Sequence, residues 1–182
     1  MRQSYLIALL LFLPLSNYAV TGFPGINLSI SAHHESATTK DNQVDTTTSS
    51  KSSNITFGLG ATLNGGMYLG SIYDVAIKNE GNNNFQDSNL GFSVGFTDRG
   101  AYMTYHHFFN SVYYLDSNTK YLGDGYGFDL GFQMILGEGF SIGGQFSYKK
   151  TNLNNKIVNG ETTPADYGRE TIYPSVILGF SF

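Results

Sequence analysis

The chain ends on Ile172-Tyr173-Pro174-Ser175-Val176-Ile177-Leu178-Gly179-Phe180-Ser181-Phe182, a stretch that alternates from one residue to the next. Counting back from Phe182, every second residue is apolar: Phe180, Leu178, Val176, Pro174 and Ile172. The residues between them are mostly small or polar, among them Ser181, Gly179 and Ser175. A period of two is typical of a strand with two different faces. The stretch therefore predicts a β-strand that runs to Phe182.

The same alternation recurs along the rest of the chain. In residues 54–63, for example, Ile55, Phe57 and Leu59 alternate with Thr56 and Gly58. The pattern predicts eight strands, at residues 25–35, 54–63, 67–78, 89–96, 101–109, 126–134, 140–148 and 172–182. The fifth is aromatic on both faces, so its inward residues cannot be chosen from the pattern.

The predicted connections alternate in length. Short turns rich in glycine are expected at residues 64–66, 97–100 and 136–139, because glycine and asparagine favour hairpin turns. Long polar loops are expected at residues 36–53, 79–88, 110–125 and 149–169. Short turns at one end and long loops at the other are typical of membrane barrels.

The composition agrees with a barrel that spans a membrane. Aromatic residues make up 15% of the chain and charged residues 13%, which argues against disorder. The mean hydropathy of -0.16 argues against a bundle of membrane helices. Strands that face lipid on one side and a polar interior on the other fit both values. We therefore expect an all-β fold: an eight-stranded antiparallel up-and-down transmembrane β-barrel.

The first residues of the chain have the pattern of a secretory signal. Arg2 supplies a positive charge, and the apolar run at residues 6–15 is too short to span a bilayer. Residues 1–19 are predicted to be a cleaved signal peptide, with cleavage after Gly22 as the alternative. Residues 23–182 are predicted to form the barrel domain.

Architecture and terminal strand together resemble the small outer-membrane barrels of the OmpA-barrel, OmpX and OmpW type. The resemblance implies an integral protein of the bacterial outer membrane that is reached through the periplasm. It also implies that the barrel-assembly machinery reads Phe182, Phe180, Leu178 and Val176 as an assembly signal. Outer-membrane lipids and lipopolysaccharide are the expected surroundings. The net charge of -4 supplies no basic patch, so no nucleic-acid partner is expected.

The alternation also predicts which polar side chains face the barrel lumen. These are Asn27, Asp74, Lys78, Asp129, Gln133 and Gln145. Buried charges need partners, so Asp74 or Asp129 is expected to pair with Lys78, Lys149 or Arg169. Because the interior of eight strands is nearly filled by side chains, we expect a structural plug and not an ion path.

An enzyme is the alternative that the sequence leaves open. His33 or His34 at the end of the first strand, with Asp87 and Ser88 before the fourth, resembles the arrangement in lipid A palmitoyltransferases. That family's N-terminal amphipathic helix has no room between Ala19 and Gly25, and the His-x-Ser-Asn motif of the lipid A deacylases is absent.

No metal site and no cofactor is predicted. The histidine pairs His33-His34 and His106-His107 each place only one ring toward the lumen, because adjacent strand residues face opposite sides. A shared site would need both inward rings and a third ligand across the lumen.

The leading functional prediction is non-enzymatic. We expect a structural or surface-interaction barrel whose four long loops meet lipopolysaccharide, host molecules or other surface ligands. The alternatives are a lipid-modifying enzyme and a narrow pore or carrier for small hydrophobic molecules.

Overall fold

Eight antiparallel strands form a closed barrel in which each strand pairs with its neighbours in sequence and β1 pairs with β8. The structure, a computed structural model, describes residues 25–41, 46–80, 83–137 and 139–182; of residues 35, 36, 41, 46, 48–51, 78–80 and 83–85 it describes only the backbone. The strands are β1 (Gly25–Asp41), β2 (Thr46–Thr62), β3 (Met67–Glu80), β4 (Asn83–Asp98), β5 (Ala101–Tyr114), β6 (Thr119–Gly137), β7 (Phe140–Val158) and β8 (Glu161–Ser181). The predicted fold class is confirmed. The predicted signal peptide lies outside the described residues and stays a prediction.

The tight turns form where the sequence predicts them. Arg99 and Gly100 have φ values of 49° and 86°, so both residues of the β4–β5 turn are left-handed, as a type I′ hairpin turn requires. Gly65 and Gly66 serve the β2–β3 turn, with φ values of 94° and 85°. We call the end of the barrel with these turns the periplasmic end, and the opposite end the extracellular end.

The four predicted long loops are wrong. Residues 36–53, 79–88, 110–125 and 149–169 mostly continue the strands beyond the predicted ends. The β7–β8 ladder runs on to Val158 and Glu161 and closes on the two-residue turn Asn159-Gly160. Polar strands can pair without apolar alternation where their outer face meets water, which is why the hydrophobic pattern missed them. We call these four segments the extracellular extension.

A belt of apolar side chains covers the outside of the barrel. Its most exposed members include Ile172 at 70%, Phe146 at 67% and Leu130 at 64%. The row of outward-facing apolar residues ends at the same height on β7 and β8. Toward the extracellular end, the next outward-facing residue after Ile172 is Glu170, and the next after Tyr148 is Lys150. No helix in the described part of the chain is long and apolar enough to cross a membrane.

The seam between β1 and β8 contains a local break. Pairs run from Asn27↔Ser181 to Ala32↔Val176 and resume at Ala37↔Thr171 in the same register. Ile26 and Phe182 exchange both backbone hydrogen bonds, so every second residue of β8 counted back from Phe182 directs its amide toward β1. Pro174 stands at one of these positions and has no N–H to donate. The break therefore has a cause in the sequence.

The structure shows which side chains of β5 point into the lumen. Thr104, His106 and Phe108 are buried in the lumen, whereas Met103 and Phe109 are exposed on the outside. The β5–β6 register shifts between Phe108 and Ser111, and Ser111 returns to the interior after this irregularity.

Candidate functional site

Charged side chains meet across the middle of the lumen. The Lys149 ammonium group lies 2.5 Å from the Asp74 carboxylate, and both side chains are about as buried as core residues, at 5% and 3% exposed. Thr56 Oγ1 donates to Asp74 Oδ1 at 3.0 Å, and Asn89 Nδ2 donates to Asp74 Oδ2 at 3.0 Å. The carboxylate therefore has an ion-pair partner and two further donors, as a buried charge requires.

A second ion pair lies nearer the extracellular end. Arg169 Nη1 donates to Asp87 Oδ2 at 3.3 Å, and the backbone N–H of Tyr114 donates to Asp87 Oδ1 at 2.8 Å. The Arg169 guanidinium also lies 5.1 Å from the centre of the Tyr113 ring. This pair fills the lumen one layer beyond the first.

An aromatic layer closes the barrel above the second ion pair. The rings of Tyr113, Tyr121 and Tyr167 lie 4.5 to 6.4 Å apart and pack with Leu153, which is 1% exposed. Burial raises the pKa of Tyr167, with the neighbouring Tyr113 as the second cause. Two ion pairs and this layer together fill the extracellular half of the lumen.

A chain of hydrogen bonds lies deeper, toward the periplasmic end. Ser93 Oγ lies 2.8 Å from His106 Nδ1, and His106 Nε2 lies 2.9 Å from Asp129 Oδ2. An ionised carboxylate can only accept, so Nε2 carries a proton; in the neutral imidazole Nδ1 then accepts from the Ser93 hydroxyl. Three neighbouring strands supply these groups: Ser93 lies on β4, His106 on β5 and Asp129 on β6. Ser93 and His106 are direct cross-strand partners.

The Asp129 carboxylate is held by a second set of side chains. Gln145 Nε2 donates to Asp129 Oδ2 at 3.2 Å and to Ser147 Oγ at 2.9 Å. Tyr102 OH donates to Gln145 Oε1 at 2.6 Å, which fixes the orientation of the amide. We call Ser93, His106, Asp129, Gln145 and Tyr102 the lumenal relay.

A cavity of about 150 Å³ lies directly below the lumenal relay. All five relay residues line it, as do the apolar side chains of Ile72, Ile135 and Ile177. It extends to Gly100 and Gly139 in the periplasmic turns. Above the relay, the buried ring of Phe108 and the Asp74–Lys149 pair fill the lumen.

The lumen-facing residues predicted from the sequence take different places in this interior. Asp74 lies in the first ion pair, and Asp129 and Gln145 lie in the lumenal relay. Asn27 donates to Thr62 at 2.8 Å near the periplasmic end. Gln133 lies nearby, with Ser141 Oγ 3.5 Å from its Oε1. The Lys78 side chain is outside the described part of the structure.

The alternative catalytic set does not assemble in the structure. His33 stacks on Tyr173 in the lumen, with ring centres 3.7 Å apart. His34 faces outward, and its Nδ1 lies 3.3 Å from Ser53 Oγ. Asp87 is bound by Arg169 in the lumen, whereas Ser88, the next residue on β4, faces the outside.

Sequence reasoning missed Ser93 and His106 as partners. The signal was present in Thr104, the small polar residue of the fifth predicted strand, since it lies on the same face as His106. Gly127, the cross-strand partner of His106 on β6, lies against two inward rings: a Cβ there would be 3.3 Å from the Phe108 ring and 3.6 Å from the His106 ring. Among the described residues, no group of three or more histidine and acidic side chains could hold a metal ion.

A closed barrel of eight antiparallel strands with an apolar belt outside is the architecture of small integral proteins of the bacterial outer membrane, and this chain is a barrel of that class. No family model matches the sequence, and no curated protein matches it. Among solved structures it is similar to Neisserial surface protein A, with 13% identity and a TM-score of 0.55, over 85% of this chain and 97% of that one. This similarity establishes the fold.

Two further barrels match with lower scores. Ail, the attachment invasion locus protein of Yersinia pestis, has 9% identity and a TM-score of 0.48, over 87% of this chain and all of that one. AlkL, an outer membrane protein determined in lipid bilayers, has 9% identity and a TM-score of 0.49, over 90% of this chain and 94% of that one.

Proposed function

We propose that this protein is a non-conducting barrel that presents its extracellular extension to molecules at the cell surface. One observation carries the proposal. The extracellular half of the lumen is filled by two ion pairs and the tyrosine layer, while the strands continue outward well beyond the apolar belt. The filled lumen leaves no open path through this half of the barrel, and the extended strands supply a surface to which other molecules can bind.

The best described part of that surface is the β7–β8 hairpin. Its exposed residues are mostly polar and uncharged and include Asn154, Asn155, Asn159, Thr162 and Thr163, together with Pro164 and the two acidic residues Glu161 and Asp166. Amide and hydroxyl groups on a rigid sheet suit hydrogen bonding to polar ligands such as the sugars of lipopolysaccharide or of host cells. A barrel of the same fold, Neisserial surface protein A, is named as a surface protein, which agrees with this role.

The test shortens the hairpin without disturbing the barrel. Leu153 and Tyr167 are direct cross-strand partners, so residues 154–166 can be replaced by Asn-Gly, a two-residue turn. Bacteria that display equal amounts of the full and shortened proteins are compared for attachment to a cultured epithelial monolayer. We expect the full protein to raise attachment and the shortened one to lose most of the gain. A matched control, Asn64→Asp in a periplasmic turn, should attach like the full protein.

Conductance supplies the second half of the test. The purified protein in a planar lipid bilayer should show no resolved channel steps, because Phe108 and the two ion pairs block the lumen. Equal attachment with and without the protein, or steady channels from the intact chain, would overturn the proposal.

A further inference from the structure

We propose that the lumenal relay is a catalytic centre in which Ser93 is a nucleophile for neutral esters of short-chain acids. The site lies in the periplasmic half of the barrel and is separate from the extracellular extension. It adds an activity to the surface role and does not depend on that role.

The first support is the order of groups around the imidazole. A nucleophilic serine needs a base that accepts its proton and a third group that orients the base. His106 accepts from Ser93 at one ring nitrogen, 2.8 Å away, and donates to Asp129 from the other, 2.9 Å away. In the serine-protease template the serine bonds to Nε2 and the acid to Nδ1, so the two nitrogens are exchanged here, but the roles of one acceptor and one donor are kept.

The second support is the rigidity of the arrangement. Ser93, His106 and Asp129 project from three adjacent paired strands, whose ladders fix their backbones. Gln145 donates a hydrogen bond to the carboxylate, and Tyr102 donates one to Gln145. Asp129 and Gln145 are positioning residues in this scheme, and Ser93 and His106 are the catalytic residues.

The third support is the space in front of the serine. The cavity of about 150 Å³ reaches Ser93 and His106 and extends to the periplasmic turns, so substrate and water share one entrance. A cavity of this volume holds a group about the size of benzene, which limits the acyl chain to a few carbons. Ile72 and Ile177 supply apolar contact, and Asp129 disfavours an anionic substrate.

The reaction balances with water as the second substrate. Ser93 Oγ attacks the ester carbonyl carbon, and its proton passes to His106 Nδ1. The bond to the alcohol oxygen breaks, and the departing alkoxide takes that proton. Water then attacks the acyl group on Ser93, and its proton passes to His106. The carboxylic acid leaves as Ser93 recovers the proton.

A donor for the developing oxyanion comes from a side chain, because the strand amides are used in the ladders. Thr104 lies on the same face of β5 as His106 and lines the same cavity. The Gly95 position opposite leaves room for its hydroxyl: a Cβ there would lie 2.8 Å from Thr104 Oγ1. Thr104 is therefore the hydroxyl donor that the geometry offers.

The experiment is covalent labelling of the folded, full-length protein in detergent micelles with a short-alkyl fluorophosphonate. Intact mass spectrometry should show a single adduct, and peptide mapping should place it on Ser93. The adduct should be absent in Ser93→Ala, about 100-fold slower in His106→Gln, and slower in Thr104→Val. Ser88→Ala, on the outer face of the same strand, should label like the parent. Heat-modified migration on gels checks that each variant is folded.

Measuring ester hydrolysis distinguishes a catalytic centre from a hydrogen-bond network that only stabilises the barrel. The parent should hydrolyse p-nitrophenyl butyrate, with kcat/KM at least about tenfold higher than for p-nitrophenyl palmitate, whose chain exceeds the cavity. The absence of label on the folded parent would overturn the proposal. Equal labelling of His106→Gln, or labelling of Ser93 without hydrolysis, would overturn it as well.

Discussion

Lys149 on β7 and Asp74 on β3 form an ion pair, with 2.5 Å between nitrogen and oxygen, that joins opposite walls of the barrel. In a ring of eight strands, β3 and β7 are as far apart as two strands can be. The pair therefore spans the lumen and, with Thr56 on β2 and Asn89 on β4, ties four strands together at one height. This crossing places an ion pair in the middle of the lumen.

Replacing Lys149 by methionine should destabilise the barrel strongly. The change keeps most of the side-chain volume but leaves the Asp74 carboxylate buried without its cation, which typically costs about 3–5 kcal/mol. Urea unfolding of the protein in micelles, followed by far-ultraviolet circular dichroism, measures the free energy of unfolding. The matched control is Lys150→Met, since Lys150 is the next residue on β7 and faces outward; its effect should stay within about 0.5 kcal/mol. Equal effects of the two substitutions would contradict a stabilising role for the pair.

Much of the barrel could be predicted from the sequence because its information is local. Ile55, Phe57 and Leu59 alternate with small or polar residues, and each such run became a strand. The extracellular ends of the strands were harder to predict, because the extension has water on its outer face and lacks apolar alternation. The dipeptide Asn159-Gly160 does carry a hairpin signal, and it lies at the centre of the segment 149–169 that the hydrophobic pattern predicts as a loop.

The interior was less predictable because its contacts join distant residues. Ser93 and His106 become neighbours only when the β4–β5 register is known, and that ladder has an irregularity between Leu90 and Gly91. Aromatic residues on both faces of β5 hid which histidine points inward. Pairing between Asp74 and Lys149 was one of several possibilities, since alternation gives the face of a residue and not its height across the lumen.

The tyrosine layer should depend on Leu153. This side chain is 1% exposed and packs with Tyr113 and Tyr121, so Leu153→Ala should leave a cavity and cost about 2–5 kcal/mol. The same unfolding assay measures the loss. Leu115→Ala, at 46% exposed in the β5–β6 turn, is the control and should cost less than about 1 kcal/mol. A negligible effect at Leu153 would show that the layer is not packed as the structure describes.

The position of the membrane can be tested with single arginines. Leu130 is 64% exposed in the middle of the apolar belt, and an arginine at the bilayer midplane costs about 2–4 kcal/mol. Leu130→Arg should lower the free energy of unfolding by that amount in lipid vesicles. Asn154→Arg, in the extracellular extension, should have little effect because the residue is exposed beyond the belt. Similar losses in the free energy of unfolding at both positions would show that the apolar belt is not the part of the barrel that lies in the membrane.

Restoring an amide at position 174 should close the break in the β1–β8 seam. Pro174→Val supplies an N–H toward His34, which can gain about 0.5–1.5 kcal/mol from a hydrogen bond. Losing proline also frees the unfolded chain by about 0.4–1 kcal/mol, so the global free energy of unfolding should change little. Hydrogen exchange is the sensitive measurement, because it reports local opening.

The expected result is slower exchange of the backbone amides at residues 34 and 36 in Pro174→Val, by about tenfold. Pro164→Val is the matched control, since Pro164 lies on the same strand and pairs with Asn155 on β7, far from the break. It should leave exchange at residues 34 and 36 unchanged. If Pro174→Val also leaves it unchanged, the missing N–H is not the cause of the break, and the separation of β1 from β8 must come from the stacked His33 and Tyr173 rings behind the seam.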